Sequence, residues 1–305
     1  MMRFGGGMVF AGVLMLSGWA VGAAAAEPQP DFAPGQAPDL SGGHFVLVEE
    51  LSDEFAGDTL DLSKWVRRDA NWPGRAPGIF DSDQIAVRDG QLWLTADRID
   101  EPFELHGRRW THRGALVGSH VPAQVGMYTE ARMKMNETFM SSTFWLMEYP
   151  VETADGRRSV ELDVVECVGF DSRENPDDPN WTKAWADHYW LSVRNQGPTE
   201  RTALSQAQIP AGGKVTGRWR TFGCWWKSES EIWFYIDGER VAVLHPDLPF
   251  DIPMRLRMVV ETYDHNPPPA KGEPGSMYHP DGTKRSVEER STRYEYVRTW
   301  RVEAP

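Results

Sequence analysis

Cysteine is scarce in this 305-residue chain, which carries only Cys167 and Cys224. Two cysteines do not make the disulfide framework of a small secreted scaffold, so the fold must rest on a hydrophobic core. The sequence leaves open whether the two are bridged or free. Buried free thiols are favoured, because nothing in the sequence supplies the geometry that a bridge needs.

Positive charge is also in short supply, since 45 acidic residues outnumber 32 basic ones and the net charge is −13. No basic stripe is present, which argues against nucleic acid as a partner. Several chemical signatures are missing as well: His-Glu-x-x-His, Cys-x-x-Cys, Gly-x-Ser-x-Gly and a phosphate-binding glycine loop. Their absence argues against zinc-protease, redox, serine-esterase and nucleotide chemistry.

Long apolar runs occur only near the start, where Arg3 precedes an apolar stretch at 8–20 and three alanines at 24–26. This pattern predicts a signal peptide over residues 1–26, with an uncleaved membrane anchor as the alternative. Residues 27–43 are rich in Pro, Gly and Asp and are predicted to form a flexible leader. Residues 44–305 then form one domain. We expect a monomer that is secreted or periplasmic and has no membrane contact after cleavage.

Helical periodicity is almost absent, and short strand patterns take its place. Two Asp-Gly pairs, at 89–90 and 237–238, each separate two such patterns, which is typical of hairpins with a type I′ turn. The predicted strands cover residues 84–88, 92–95, 126–135, 141–148, 160–168, 187–194, 218–227, 232–236, 240–244, 254–262 and 293–302. Many short strands without helices predict an all-β sandwich or barrel.

One of these runs, residues 160–168, carries three carboxylates in an otherwise apolar, β-branched stretch, Val-Glu-Leu-Asp-Val-Val-Glu-Cys-Val. Alternation puts Glu161 and Asp163 on one face and Glu166 on the other, unless a bulge at position 164 or 165 restores the phase. Three acids on one face repel one another, so we predict a catalytic role rather than a solvated strand face. Glycosidic-bond cleavage uses two carboxylates, one at the sugar carbon and one at the leaving oxygen.

Fourteen tryptophans are many for this length, and sugar-binding clefts use such rings because a pyranose face stacks on them. Trp72 lies in a Pro-Gly turn, where no core residue is needed. Trp145 alternates with apolar residues and is either a stacking platform or a core residue. His188, Trp190 and Arg194 share one face of their strand, which suits a cleft. Arg194 is expected to hold a sulfate, to bind a sugar hydroxyl or to pair with an acid.

The run from Glu161 to Glu166 resembles the bulged signature of glycoside hydrolase family 16. Other similar segments are Ser52-Asp53-Glu54-Phe55, Lys64-Trp65, Tyr128 through Lys134, Phe144-Trp145-Leu146 and Tyr296-Val297-Arg298. The resemblance implies a jelly-roll β-sandwich of the concanavalin A type with a concave substrate cleft. It also implies a retaining endo-hydrolase, with Glu161 as nucleophile, Glu166 as acid and base, and Asp163 tuning Glu161. Repulsion by the third acid is expected to raise the pKa of Glu166.

Within that family, the segments 71–75, 141–145 and 225–227 look most like the β-agarase and porphyranase branch. The resemblance implies that Trp72 and Arg75 contact substrate. Agarases typically carry Asp-Thr-Glu where this chain reads Glu261-Thr262-Tyr263. Glu261 and Tyr263 are therefore expected at the substrate, and with Tyr263 in place of a glutamate, strict agar specificity is not expected.

The resemblance further implies a structural calcium ion, held by a backbone oxygen near Gly90 and by Glu295, although no cofactor is required for the chemistry. The expected substrate is a β-linked algal galactan of the agarose or porphyran type. Three alternatives stay open: a family 16 hydrolase of κ-carrageenan or laminarin, a non-catalytic carbohydrate-binding sandwich, and a structural surface protein. The last two leave the three acids without a role.

Overall fold

The computed structural model describes residues 1–2, 27–154, 156–171, 185–197 and 202–305. Residues 3–26 of the predicted signal peptide lie outside this range. No helix in the described part of the chain is both long enough and apolar enough to cross a lipid bilayer.

Antiparallel strands provide nearly all the regular structure of the described residues, beside two short 3₁₀ helices at Glu49–Leu51 and Ser82–Gln84. The strands are β1 (His44–Leu47), β2 (Trp65–Val66), β3 (Gly78–Phe80), β4 (Ile85–Arg88), β5 (Gln91–Thr95), β6 (Asp97–Leu105), β7 (Arg108–Ala123), β8 (Tyr128–Lys134), β9 (Ser141–Thr153), β10 (Gly156–Val168), β11 (His188–Gln196), β12 (Thr202–Pro210), β13 (Trp219–Ser228), β14 (Glu231–Ile236), β15 (Glu239–Leu244), β16 (Met254–Val260) and β17 (Ser291–Glu303).

Two sheets make up the domain. One has the order β15-β14-β13-β8-β17-β5-β4, with β1 added beside β17. The other has the order β12-β11-β10-β9-β16-β7-β2, with β3 and β6 added beside β7. The acid-bearing strand β10 lies near the middle of this second sheet. Two packed antiparallel sheets confirm the predicted all-β jelly-roll sandwich.

The two Asp-Gly hairpins occur where the sequence predicts them, between β4 and β5 and between β14 and β15. Asp89 and Gly90 both have positive φ values, 54° and 68°, and Asp237 and Gly238 have 49° and 76°. Positive φ at both central positions is the backbone that a type I′ turn requires, and Asp and Gly tolerate it. The Asp-Gly turns therefore fix the register in which the two strands of each hairpin pair.

Six strands escape the sequence prediction: the short strands β1, β2 and β3, and the longer strands β6, β7 and β12. β6 is largely exposed beyond residue 99 and carries little apolar alternation. β7 contains two glycines and two histidines, which weaken the strand signal although most of its central residues are buried. These strands form because neighbours pair with them, and a single-strand pattern does not report that pairing.

The core lies between the sheets and joins residues of both. The ring of Tyr189 on β11 packs edge-on against Phe222 on β13, with 4.8 Å between their centroids. The hydroxyl of Tyr294 on β17 donates to the carbonyl of Thr143 on β9 at 2.7 Å. Both cysteines are buried in this core and free, as favoured above.

Residues 27–43, the predicted leader, form turns and lie against the outer face of the first sheet. The indole of Trp300 donates to the carbonyl of Pro28 at 2.8 Å. The ring of Phe32 lies 5.1 Å from both Tyr128 and Tyr235. The N–H of Ala33 also donates to the carbonyl of Gly238 at 3.0 Å, so this segment is packed on the domain through both side-chain and backbone contacts.

Candidate active site

A bulge in β10 brings the three acids onto one face. Opposite β11, Asp163 pairs with Ser192 and Glu166 pairs with Trp190, so β10 uses one more residue than its partner between these pairs. The pairing with β9 shifts in the same stretch, between Asp163 and Val165. The predicted bulge is therefore confirmed, and without it Glu166 would point into the core.

Arg194 lies directly opposite Glu161 in the β10–β11 register and forms an ion pair with it. The guanidinium Nη1 is 3.2 Å from Oε1 of the carboxylate. Of the roles expected for Arg194, pairing with an acid is the one observed. This charged contact fixes the position of the Glu161 carboxylate on the acid face.

Asp163 is the most buried of the three acids, with 2% of its surface exposed. Burial, and then the charges of Glu166 and Glu161, raise its pKa well above the usual range. The hydroxyl of Ser192 donates to its Oδ2 atom. These surroundings favour the protonated form of Asp163, and in that form it can donate a hydrogen bond to a neighbouring carboxylate.

Glu166 has its pKa raised to about 7, chiefly by burial. The hydroxyl of Tyr263 donates to its Oε1 atom at 2.6 Å and opposes that rise, because the bond favours the ionised form. The third acid, Asp163, was expected to raise this pKa by repulsion. Among the acids, Glu161 is the one that raises it, and its effect is smaller than that of burial. A carboxyl with a pKa near 7 is suited to protonate a leaving group at neutral pH.

This geometry predicts a pH effect for Tyr263→Phe. In the wild type, kcat/KM is expected to fall as the pH rises through about 7, because Glu166 then loses the proton it must donate. Loss of the tyrosine hydroxyl removes a hydrogen bond that favours the ionised carboxylate. The alkaline limb of the pH profile of kcat/KM should therefore move upward by about one pH unit. Tyr149→Phe, on β9 of the same sheet, is the control and should leave the limb in place. An unchanged limb in the Tyr263 variant would contradict the assignment.

Arg75 and Glu261 meet beside Tyr263. Arg75 Nε is 3.0 Å from Oε2 of Glu261, and the guanidinium carbon lies 5.7 Å from the centre of the Tyr263 ring. Glu261 is 4% exposed, and burial raises its pKa to about 7 while Arg75 opposes the rise. The three residues expected at the substrate by resemblance thus form one cluster, connected to Glu166 through the tyrosine hydroxyl.

Trp145 stands opposite Asp163 in the β9–β10 register, so its side chain is on the acid face. It is nevertheless 8% exposed, because Trp72 and Arg257 cover it. The Trp72 ring meets Trp145 edge-on at 5.8 Å, and the Arg257 guanidinium lies 5.2 Å from the same ring. Trp145 is thus neither an open platform nor part of the core between the sheets, but a support beneath Trp72.

These positions predict different results for the two tryptophans. Trp72→Ala should weaken oligosaccharide binding about tenfold and lower Tm little, because Trp72 is only partly buried. Trp145→Ala should also cost about 3 kcal/mol of unfolding free energy, as expected for a buried large-to-small change. Calorimetry and thermal melts measure both quantities. Equal Tm losses in the two variants would contradict the support role of Trp145.

A second aromatic group flanks Glu166 on the β11 side. Trp190, opposite Glu166, stacks on Trp185 with ring centres 4.7 Å apart and planes within 10°. Trp185 also meets Tyr263 edge-on at 5.3 Å. A pocket of about 350 Å³ opens beside these rings. His188 lies at the start of β11, where its Nδ1 atom is 2.7 Å from a carboxylate oxygen of Asp187.

Sequence reasoning missed Trp185, which precedes the predicted strand, and the buried ion pair between Arg257 and Asp69. Arg257 Nη2 is 2.6 Å from Oδ2 of Asp69, and both side chains are under a tenth exposed. A signal was present, because Arg255 and Arg257 alternate within an otherwise apolar run and share the face of the acids. The partner Asp69 is remote in the sequence and gave no such signal.

The calcium site stays a prediction. Gly90 lies in the turn between β4 and β5, and the carboxylate of Glu295 is 2.5 Å from Nε of Arg132. Among the described residues, no group of three or more His, Cys, Asp or Glu side chains is placed to hold a metal ion. Calcium takes about six to eight oxygen ligands. The two predicted ligands fall short of that number, so no chemistry is assigned to the ion.

Comparison with known proteins places this site in a family. The family model described as "Beta-porphyranase A-D, GH16 domain" matches residues 45–302. β-Porphyranase B of Zobellia galactanivorans is 36% identical over 282 residues, which cover 91% of this chain and 92% of that protein. β-Porphyranase B of Phocaeicola plebeius is 32% identical, over 73% of this chain and 77% of that protein.

Solved structures agree with this placement. The crystal structure of porphyranase B from Zobellia galactanivorans superposes with a TM-score of 0.81 at 35% identity, covering 91% of this chain and all of that one. β-Agarase A from the same organism has a TM-score of 0.65 at 18% identity, over 87% of this chain and 94% of that one, and shares the fold. The chain therefore belongs to glycoside hydrolase family 16, in its porphyranase and agarase branch, and is a glycoside hydrolase.

Proposed function

We propose that this protein is an endo-acting hydrolase that cleaves β-linked algal galactans of the porphyran type with retention of configuration. The observation that carries the proposal is the set of three acids on one face of β10, brought into phase by the bulge. The names of the two relatives above 30% identity, both β-porphyranases, support the substrate class. The substitution of Tyr263 for the agarase glutamate supports porphyran over agarose.

The proposed chemistry has two steps. Glu161, held beside Arg194, attacks the anomeric carbon while Glu166 gives its proton to the glycosidic oxygen, which leaves as a hydroxyl. Water then attacks the same carbon, the bond to Glu161 breaks, and the water proton passes to Glu166. Asp163, whose raised pKa favours the protonated form, donates a hydrogen bond within the acid row.

A substrate panel tests the proposal. Agarose, porphyran, κ-carrageenan and laminarin are each incubated with the enzyme, and new reducing ends and product lengths are measured. We expect the highest rate on porphyran and mid-length products early in the reaction, as endo-cleavage gives. Proton NMR of the first products should show the β-anomer before mutarotation. Highest activity on laminarin or κ-carrageenan would overturn the substrate class, and an α-anomer would overturn retention.

We also propose that the enzyme acts outside the cytoplasm, because its polymeric substrate does not enter cells intact. The apolar N-terminal stretch and the alanines before Glu27 support export. Mass spectrometry of protein recovered from the periplasm or medium should give a chain that begins at Glu27. An intact Met1 in the exported protein would contradict cleavage at this position.

A further inference from the structure

The hairpin of β6 and β7 presents one apolar face near the cleft. Phe103 pairs with Trp110 and Leu105 pairs with Arg108, so these four side chains share a face. Glu104 and Arg109 form the intervening pair and point the other way. The tip is a tight turn at residues 106–107, both with positive φ.

This face is exposed although it is apolar. Phe103 and Leu105 are each 41% exposed, among the most open large apolar side chains of the domain. They stand beside a pocket of about 820 Å³. Its walls are formed by two stretches, residues 71–76 and the hairpin residues 106, 108 and 110, together with Asp264. An exposed apolar face beside an open pocket is typical of a binding surface.

The pocket is continuous with the catalytic acids. Arg75 lines it and contacts the ring of Tyr263, and the hydroxyl of Tyr263 donates to Glu166. Trp72 also lines it and rests on Trp145, which stands opposite Asp163. A polysaccharide held at Glu166 can therefore extend across Arg75 and Trp72 towards the hairpin.

The charges in this pocket leave Arg108 available for a ligand. Arg75 is paired with Glu261, whereas Arg108 makes no salt bridge to any carboxylate within the described ranges. Asp264 is the single acid that lines the pocket. His106 at the hairpin tip adds a second nitrogen donor next to Arg108. A guanidinium that forms no salt bridge with the described carboxylates, on an apolar wall, matches a sugar that carries an anionic substituent.

We propose that the β6–β7 hairpin is an outer substrate-binding wall, on which Phe103 and Leu105 pack against a sugar ring while Arg108 binds a sulfate ester on that sugar. This inference deepens the proposed function and rests on it. Arg108 is then a residue that decides between sulfated and neutral galactan chains, at a distance from the bond that is cleaved.

The test compares Arg108→Ala with Arg109→Ala, two neighbouring exposed arginines on opposite faces of one strand. Both changes are made in a Glu161→Gln background, so that the ligands are not consumed. The ligands are porphyran oligosaccharides and the same preparation after chemical desulfation, and Kd is measured by calorimetry. Arg108→Ala should weaken binding of the sulfated ligand about tenfold and of the desulfated ligand less than twofold. Arg109→Ala should change neither, and Arg108→Lys should keep part of the affinity.

Two further results are informative. Phe103→Ala should weaken both ligands alike, because an apolar contact with the ring does not read the sulfate. Equal losses on both ligands in Arg108→Ala, no loss, or the same loss in Arg109→Ala would overturn the assignment of Arg108. If one of these results is found and the wild type hydrolyses porphyran, only the role of the hairpin is overturned. If the wild type cleaves no galactan, the proposed function itself is overturned.

Discussion

Glu161→Gln and Glu166→Gln are each expected to lower kcat by about a thousandfold or more and to leave Tm nearly unchanged. Glutamine keeps the shape of each side chain but removes the nucleophile in one variant and the proton donor in the other, and each loss costs several kcal/mol of barrier. Reducing-end assays on the preferred galactan measure the effect. Glu152→Gln, an exposed site on the neighbouring strand β9, is the matched control and should retain wild-type activity.

Azide separates the two roles. In Glu161→Ala, azide can occupy the space of the missing carboxylate, attack the anomeric carbon and give a glycosyl azide of inverted configuration. In Glu166→Ala, azide attacks the intermediate on Glu161 and gives the retained configuration, provided that the leaving group needs no protonation. An activated aryl glycoside meets that condition. If the two alanine variants gave the opposite configurations, the roles of Glu161 and Glu166 would be exchanged. Wild-type turnover by both glutamine variants would remove the catalytic assignment.

Asp163 should show a large difference between two substitutions. Asp163→Ala is expected to lower kcat about a thousandfold, because it removes the group between Glu161 and Glu166 and leaves the Ser192 hydroxyl without its acceptor. Asp163→Asn is expected to lose only about tenfold. The raised pKa of Asp163 favours a protonated native side chain, and a neutral amide of nearly the same shape can likewise accept from Ser192 and donate to a carboxylate.

The comparison reports the protonation state of Asp163 through kcat, with Tm as a check on folding. Ser192→Ala is the companion variant, and its loss should be well below that of Asp163→Ala, because it removes only one bond to the acid. If Asp163→Asn is as inactive as Asp163→Ala, the residue works as an anion. The proton assigned to it here would then be wrong.

Several features could be predicted because their causes are local. The bulge in β10 follows from the phase of three acids in one apolar run, and the two hairpins follow from Asp-Gly pairs that accept positive φ. Alternation also placed Trp190 and Arg194 on the acid face, since side chains on a strand change sides at every residue. Each of these arguments uses residues within about ten positions of one another.

Other features depended on contacts between distant segments. Tyr263 was expected to touch substrate, but the structure shows its hydroxyl bonded to Glu166, almost a hundred positions away. The covered position of Trp145 required Trp72 and Arg257 above it. β6, β7 and β12 carry weak strand patterns and are defined by their partners.

The sequence by itself singled out the candidate catalytic residues, because the acids, their spacing and the apolar residues around them are all within one strand. It also determined the sandwich class, since period-two patterns and turn residues are local properties of the chain. Only the tertiary structure decided that the pKa values of Asp163 and Glu166 are raised. A pKa depends on burial and on the charges within a few ångströms. The residues that supply both lie on β11, just after β16 and in the segment around Trp72, and they meet β10 only after folding.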